Sequence, residues 1–290
     1  MRLSDDLELL LLSALWGGSF LFMRVAAPVL GPVWLIECRV LFAGLGLLPL
    51  LLRSQAGSII RRDIKSLFIV GCINSALPFL LLAFASLSLP AGYTSIVNAT
   101  APLFGTLIAA IWFYERLTAA RIAGLLFGFV GVVLLIGLQP MEITPAVVSS
   151  IAAGLSAAVM YAIAAPYAKR HLVGIPPLAI ATTTQLCAAI ALFPLLPFTI
   201  PTAIPSPPIV LAVLALALFS TAFAYLLYFR LIQNVGASKA MTVTYLVPVF
   251  AVLWGALFLS ESITVAMVLG CCMILLGTAI ANGLLFSSAQ

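Results

Sequence analysis

The sequence predicts an all-α integral membrane protein, with ten transmembrane helices built as two inverted five-helix repeats around a central cavity. Three observations carry that prediction. Hydrophobic residues make up 64% of the 290-residue chain and charged residues only 7%, whereas a soluble domain carries about 25% charge. The segment 91–138 recurs 146 positions later: Ala91, Val97, Pro102, Phe104, Ala110, Glu115, Thr118, Ala120, Gly124, Gly131, Gly137 and Leu138 match Ala237, Val243, Pro248, Phe250, Ala256, Glu261, Thr264, Ala266, Gly270, Gly277, Gly283 and Leu284. The basic residues also gather on alternate loops, as they do when one face of a membrane protein is cytoplasmic.

The elements follow from length. A helix needs roughly 20 apolar residues to cross about 30 Å of hydrocarbon. Runs of that kind occupy 7–28, 33–52, 65–86, 91–114, 119–138, 147–168, 175–197, 208–230, 237–259 and 264–285, with Pro, Gly or charge in most of the short connections. A β-barrel would show ten-residue alternation instead. The first run is too long for a signal peptide, and Asp5, Asp6 and Glu8 are the wrong flank for one. The halves 1–145 and 146–290 then hold five spans each and form one joint bundle. A repeat with an odd number of spans must sit upside down relative to its copy, an arrangement characteristic of transporters. The earlier spans align more weakly, at an offset of 145: Pro32 with Pro177, Leu41 with Leu186, Ala43 with Ala188, Pro49 with Pro194, and Arg24 opposite Lys169.

With the N-terminus inside, Arg2, Arg53, Arg61, Arg62, Lys65, Arg116, Arg121, Lys169, Arg170, Arg230 and Lys239 fall on the inner side, 11 of the 13 basic residues. Arg24 and Arg39 belong to the outer half. Ten spans return the C-terminus inside as well. The net charge of +5 is thus a topology signal. It does not read as a nucleic-acid footprint, because no basic cluster has interleaved aromatics. Glu115 ends the fourth span on the inside and Glu261 ends the ninth on the outside, as inverted copies require. Both are read as helix-terminating groups that bind neighbouring backbone or side chains.

Pro102 and Pro248 stand near the middle of spans four and nine. A mid-helix proline has no N–H and displaces the carbonyl four residues back, here those of Asn98 and Thr244. A bare carbonyl in lipid costs several kcal/mol and should face protein or a wet cavity. Asn98 and Thr100 in one copy, and Thr242, Thr244 and Tyr245 in the other, gather at these places. The competing reading is a simple kink healed by neighbouring helices. Span three adds Asn74, one turn before Pro78. Span seven adds Thr182, Thr183, Thr184 and Gln185, and span eight adds Ser220, Thr221 and Tyr225. The amides of Asn74 and Gln185 can both donate and accept, which suits a solute, although interhelical hydrogen bonds account for them equally well. Trp16, Tyr161, Tyr225 and Tyr245 are candidate aromatic walls. Trp112 and Trp254 read as belt or packing residues. Pro78, Pro102 and Pro248 are the hinge candidates.

Charge inside a membrane is costly and marks function by default. Glu37 and Arg39 lie in the first two turns of span two, near the outer mouth. Two residues apart on a helix, they point about 200° apart and do not face each other. Arg39 either holds a solute carboxylate or pairs within the bundle for assembly, and the structural role is the favoured one. No Asp or Glu lies near the middle of any span, which argues against cationic drugs and against proton antiport. No G-x-x-x-x-G-K-[ST] loop exists for ATP. His171 stands beside Lys169 and Arg170 without a partner for a metal. The five cysteines (Cys38, Cys72, Cys187, Cys271 and Cys272) lie within spans as small apolar residues. Gly124-x-x-x-Gly128 permits close helix approach, first of all within the bundle.

Several of these segments resemble a known family. Leu15-Trp16-Gly17, Pro32 followed by Arg39, Glu115-Arg116-Leu117-Thr118, and Glu261-Ser262-Ile263-Thr264 occur in the order and duplication of an EamA-type member of the drug/metabolite transporter superfamily. The resemblance spans essentially the whole chain and is strongest to the amino-acid and metabolite exporters. It implies peripheral fifth and tenth spans, with the other eight around a cavity. It also implies export or exchange of small metabolites such as amino acids; the lack of a mid-span acid favours neutral or zwitterionic ones, moved by alternating access in the inner membrane. No cofactor, metal, ATP or nucleic acid is expected, only a small solute, the bilayer and a monomeric or weakly dimeric chain. The alternatives are a channel-like facilitator or a proton-coupled drug exporter. An enzyme acting on lipid would need a cluster of His, Asp, Glu or Cys at one depth, and the sequence holds none.

Overall fold

The computed structural model describes residues 3–54, 56–112, 117–138, 142–201 and 203–282, and every regular element among them is helical. In hydrocarbon a helix satisfies its own backbone, which is why so apolar a chain adopts little else. The first helix, α1 (Leu3–Arg53), is interrupted at Gly31, whose φ of 73° and ψ of 156° are non-helical. Only glycine takes that conformation without steric cost. The chain doubles back there: Arg39 Nη1 lies 3.8 Å from Met23 Sδ, whereas sixteen residues of straight helix would separate them by about 24 Å. Pro28 and Pro32 flank the reversal.

Next come α2 (Gly57–Gly71), a π-helical turn at Cys72–Ala76 and α3 (Leu77–Ala85), which form one continuous apolar stretch. The fourth stretch is α4 (Ala91–Asn98) and α5 (Ala101–Trp112), and α6 (Ala119–Gly137) follows. The second half opens with α7 (Pro145–His171) and α8 (Pro177–Leu192), the latter ending in a 3₁₀ turn. Then come α9 (Pro207–Ala217), a second π-helical turn at Leu218–Phe223 and α10 (Ala224–Val235). The chain ends with α11 (Ala237–Ala240), α12 (Val243–Leu259) and α13 (Val265–Ala281). Seven of these stretches are long and apolar enough to cross a membrane, and α12 and α13 are shorter apolar helices. The chain is therefore a multi-pass membrane protein. Leu45, Leu126, Val133, Phe219, Leu257 and Phe258 are among the many large apolar side chains it leaves exposed, as a lipid-facing surface requires.

Helix starts recur at the repeat interval. Thr118 Oγ1 accepts from Arg121 N–H to cap α6, and Thr264 Oγ1 accepts from Met267 N–H to cap α13. The two π-helical turns begin at Cys72 and Leu218, also 146 residues apart. The third helical stretch starts at Gly57, earlier than the apolar run beginning at 65, and its opening turns carry Arg61, Arg62 and Lys65, all exposed. Arg62 donates to Asp63 at 2.8 Å, and that neighbour raises its pKa.

α6 packs almost entirely on α13, and backbone meets backbone there. A Cβ built on Gly124 would stand 2.7 Å from Gly277 O and 2.5 Å from Ala281 N, and one on Gly131 would stand 3.1 Å from Gly270 O. The start of α6 thus meets the end of α13, so the two helices run antiparallel. The contacts are also reciprocal: shifting 124 and 131 by 146 gives 270 and 277. Gly128 faces Leu103, so the Gly124–Gly128 pair serves contact inside the bundle.

At one end of the bundle Glu261 accepts the Ala91 N–H at 3.0 Å, the first amide of α4. A carboxylate there complements the positive end of the helix. Arg24 Nε lies 3.8 Å from the same carboxylate, and Arg24 Nη1 donates to Ser86 O and Leu87 O at 2.9 Å. The expected role of Glu261 as a terminus-binding group has this form. Its mate Glu115, with Arg116, lies outside the described residues. At another point Arg230 pairs with Glu8 at 3.1 Å, and Asn234 Nδ2 donates to Asp5 Oδ1 at 3.3 Å.

Gly277→Ala tests the α6–α13 seam. The new methyl would stand 2.5 Å from Gly128 N and 2.6 Å from Gly124 O, so the helices must separate, at a cost of about 1–3 kcal/mol. Gly105→Ala meets nothing within 4 Å and should be neutral or stabilising by up to about 1 kcal/mol. Thermal unfolding in detergent should therefore drop by several degrees for the first variant and not for the second.

Candidate functional site

The polar residues of the interior fall into two groups. The first is built on the π-helical turns. A π turn inserts one extra residue into a helix, swings the neighbouring side chains round and leaves carbonyls short of partners. Thr221 fills one such vacancy in the second turn: its hydroxyl donates to Leu216 O at 2.8 Å. With its proton committed, Oγ1 accepts from Arg39 Nε at 3.0 Å. In the first turn Ser75 Oγ accepts from Gln185 Nε2 at 3.0 Å. The two contacts are counterparts at the 146-residue interval of the π turns, since 39 and 75 shifted by 146 give 185 and 221; the 145-residue offset read from the sequence of the second span would instead set Arg39 opposite Thr184.

Arg39 lies eight residues past the reversal at Gly31, about 12 Å along its helix, and is only 4% exposed. It faces the interior of the bundle rather than a mouth. Its Cζ stands 3.6 Å from the centroid of the Phe79 ring, a cation–π contact. The phenols of Tyr161 and Tyr225 lie within coulombic range of the guanidinium, and Tyr225 is within hydrogen-bonding reach of Ser75. Tyr225 also stacks on Phe229 (5.9 Å between ring centroids), and Phe229 meets Tyr228, which packs on Trp16 at 5.2 Å. Of the sequence candidates, Trp16, Arg39, Tyr161, Gln185 and Tyr225 thus belong to one connected cluster. Asn74 sits in the same π turn as Ser75, half-buried and without a hydrogen bond among the described residues. Pro78 is buried at the start of α3, next to Phe79.

The second group lies where α4, α5, α12 and α13 meet. The helix is broken between Asn98 and Ala101, as Pro102 predicts. Thr100 Oγ1 donates back to Val97 O at 2.7 Å, and the buried Asn98 Oδ1 has no partner. Pro248 behaves differently: α12 runs through it without interruption, and the break stands earlier, at Met241–Thr242. There Thr242 and Thr244 hydroxyls donate to Lys239 O and Met241 O at 2.7 and 2.8 Å. Tyr245 is within hydrogen-bonding reach of Asn282, whose Oδ1 lies 3.5 Å from Thr106 Oγ1. Asn98, Thr100, Thr244 and Tyr245 therefore do not join the Arg39 cluster.

Glu37 is buried, with Oε2 unpartnered, and makes no ion pair with Arg39. Trp254 Nε1 donates to Ala14 O at 3.0 Å and is a packing residue, while Trp112 is 53% exposed. Gly17 of the Leu15-Trp16-Gly17 motif marks a close approach to α12, where a Cβ would stand 3.0 Å from Val247 O. Met23, Phe79 and Ser75 were not singled out from the sequence. The signal for Ser75 was available: Asn74-Ser75-Ala76 and Ser220-Thr221-Ala222 are small polar pairs 146 residues apart.

Comparison with known proteins agrees with this architecture. The profile of the EamA-like transporter family matches twice, over residues 6–137 and 148–283. An uncharacterized transporter of Archaeoglobus fulgidus is 25% identical over 90% of this chain and 92% of its own length. The uncharacterized transporter YoaV of Bacillus subtilis is 25% identical over 94% and 96%. A probable terminal-alkyne amino-acid exporter of Streptantibioticus cattleyicolor is 31% identical, over 43% of this chain and 42% of its own. A crystal structure of a protein 21% identical superposes over 98% of both chains with a TM-score of 0.67, a likeness of fold alone. With both halves matched by the one profile, this chain belongs to the EamA-like transporter family.

Proposed function

We infer that the protein is a carrier that exports or exchanges small neutral or zwitterionic metabolites, amino acids foremost, by alternating access. In this reading ten spans form two inverted five-helix repeats, 1–145 and 146–290, around a central cavity. Both termini are cytoplasmic, and the chain sits in the inner membrane as a monomer or weak dimer. The observation that carries it is the reciprocity of contacts at the repeat interval. The α6–α13 seam and the Arg39–Thr221 and Gln185–Ser75 pairs each map onto their own counterparts when shifted by 146. A face that matches itself in antiparallel register is the mark of a two-fold axis. Such an axis lying in the membrane plane gives an inverted-repeat carrier a way to exchange inward and outward shapes. The double family match supports the same division, and the exporter relative supports the solute class.

The helix break before Pro102 supplies one joint for the motion. Pro248 serves as a second within a helix that remains continuous in this conformation. Pro78, next to the first π turn, is a third. In reconstituted vesicles, Pro102→Leu should slow counterflow severalfold with little loss of membrane insertion. Unaltered flux in both Pro102→Leu and Pro248→Leu counts against the joints.

Two measurements check the reading itself. In a chain freed of its five cysteines, Glu115→Cys and Glu261→Cys should be labelled by impermeant maleimide from opposite sides of the membrane. Labelling from one common side refutes the inversion. Labelled amino acids, nucleosides and sugars offered to preloaded vesicles should show saturable uptake and counterflow for at least one class. Unsaturable flux without counterflow would mean a channel, and abolition of uptake by collapsing a pH gradient at fixed solute gradient would mean proton coupling.

A further inference from the structure

We propose that Arg39 is the anion anchor of the transport site. It takes the single carboxylate of the solute, while Gln185 Oε1 takes an N–H donor beside that carboxylate, so that the ligand class is the α-amino acids. This rests on the carrier reading and goes beyond it by naming the groups that select the solute.

The reasoning begins with a charge that lacks a counter-ion. A guanidinium stays protonated in proteins and carries five N–H donors. Arg39 commits two of them, Nε to Thr221 Oγ1 at 3.0 Å and one Nη1 hydrogen to the thioether of Met23 at 3.8 Å. Five less two leaves three without a protein acceptor among the described residues. The pairs found elsewhere, Arg24–Glu261 and Arg230–Glu8, show what this cation lacks. Its surroundings are a thioether, a hydroxyl, a phenyl face and two phenols, all neutral. A buried charge is stable when paired and hydrogen-bonded, and no carboxylate among the described side chains lies within ion-pair distance to do so. Glu37, two residues away, points to another side of the helix.

The chemistry of the missing partner follows. The cluster around the guanidinium holds no second Arg, Lys or His, so its charge is matched by one negative charge. A phosphate ester or a dicarboxylate would bring a second negative charge with no second cation to meet it, whereas the ammonium of an α-amino acid stays beside its own carboxylate and faces a carbonyl oxygen. A carboxylate fits the planar fork of the guanidinium through two parallel hydrogen bonds. The second pole comes from the mirrored contact. Gln185 is fully buried, its Nε2 is committed to Ser75, and its Oε1 has no donor. Tyr225 links the two poles, within range of Arg39 on one side and within reach of Ser75 on the other. An acceptor without a donor among the described residues, connected through Ser75 and Tyr225 to a cation without an anion, is complementary to an ammonium next to a carboxylate. Phe79, Tyr161, Tyr225 and Trp16 add ring faces suited to an apolar side chain.

The test is ligand-induced thermal stabilisation of the detergent-purified chain, run beside counterflow in vesicles. The probes are L-phenylalanine, L-leucine and L-threonine, each with its methyl ester and its decarboxylated amine, together with 3-phenylpropionate, inorganic phosphate and chloride. At least one of the three amino acids should stabilise the wild type and show counterflow, with its ester and amine at least tenfold weaker. Arg39→Met should weaken that amino acid by roughly 100-fold, and Arg39→Lys by roughly tenfold, since it keeps the charge but not the fork. Gln185→Leu should weaken the amino acid while sparing 3-phenylpropionate. Equal action of the amino acid and its ester, stabilisation by phosphate or chloride alone, or no stabilisation by any amino acid overturns the assignment. Should Arg39→Met fail to fold, the comparison of ester with acid on the wild type and the Gln185→Leu variant still decides. Counterflow of nucleosides or sugars in the absence of any response to the amino acids would leave the carrier standing and remove only the anchor.

Discussion

Within hydrocarbon, every polar group must find its partner inside the protein, and the rest of this structure depends on that constraint. The described chain is wholly helical because helices close their own hydrogen bonds. Where a helix is interrupted, a nearby hydroxyl supplies what was lost. Thr100 answers the gap before Pro102, Thr221 answers the second π turn, and Thr242 and Thr244 answer the break ahead of α12. Each repair uses a side chain within five residues of the fault, so the helices remain intact while small polar groups become concentrated at a few places. Of these repairs, the one at Thr221 meets the Arg39 cluster, where the same hydroxyl also accepts from the guanidinium.

Much of the fold was legible in the sequence because membrane crossing is a matter of length and apolarity, and both are visible in one dimension. The reversal at Gly31, the caps at Thr118 and Thr264 and the break before Pro102 all fall where local chemistry requires them. The π-helical turns were not legible. They arise from one residue too many between two packed faces, and no residue type demands them. For that reason Ser75 was passed over in favour of its neighbour Asn74. The continuity of α12 through Pro248 is a similar case: the helix lies close against α1 at Gly17 and stays unbroken where its sequence allows an interruption.

The candidate site divided along the same line. Trp16, Tyr161, Gln185 and Tyr225 were identified by residue type, because an amide or a phenol inside a span is rare enough to notice. Their convergence on Arg39 was not foreseen, since it depends on how far α1 returns after Gly31 and on which way a π turn aims Thr221. The sequence places Arg39 near the outer mouth because only two turns of helix precede it; packing in the folded chain leaves it 4% exposed. Asn98 and Tyr245, chosen by the same rule of rarity, lie with Asn282 and Thr106 in a separate region.

The seam between α6 and α13 has one more implication. Its two sides share glycines at matching positions, Gly124 with Gly270 and Gly131 with Gly277, presented in antiparallel order. The close contact is made by the backbones of α6 and α13 themselves. These glycines hold the two helices together while other equivalent positions differ, as Arg39 and Gln185 do.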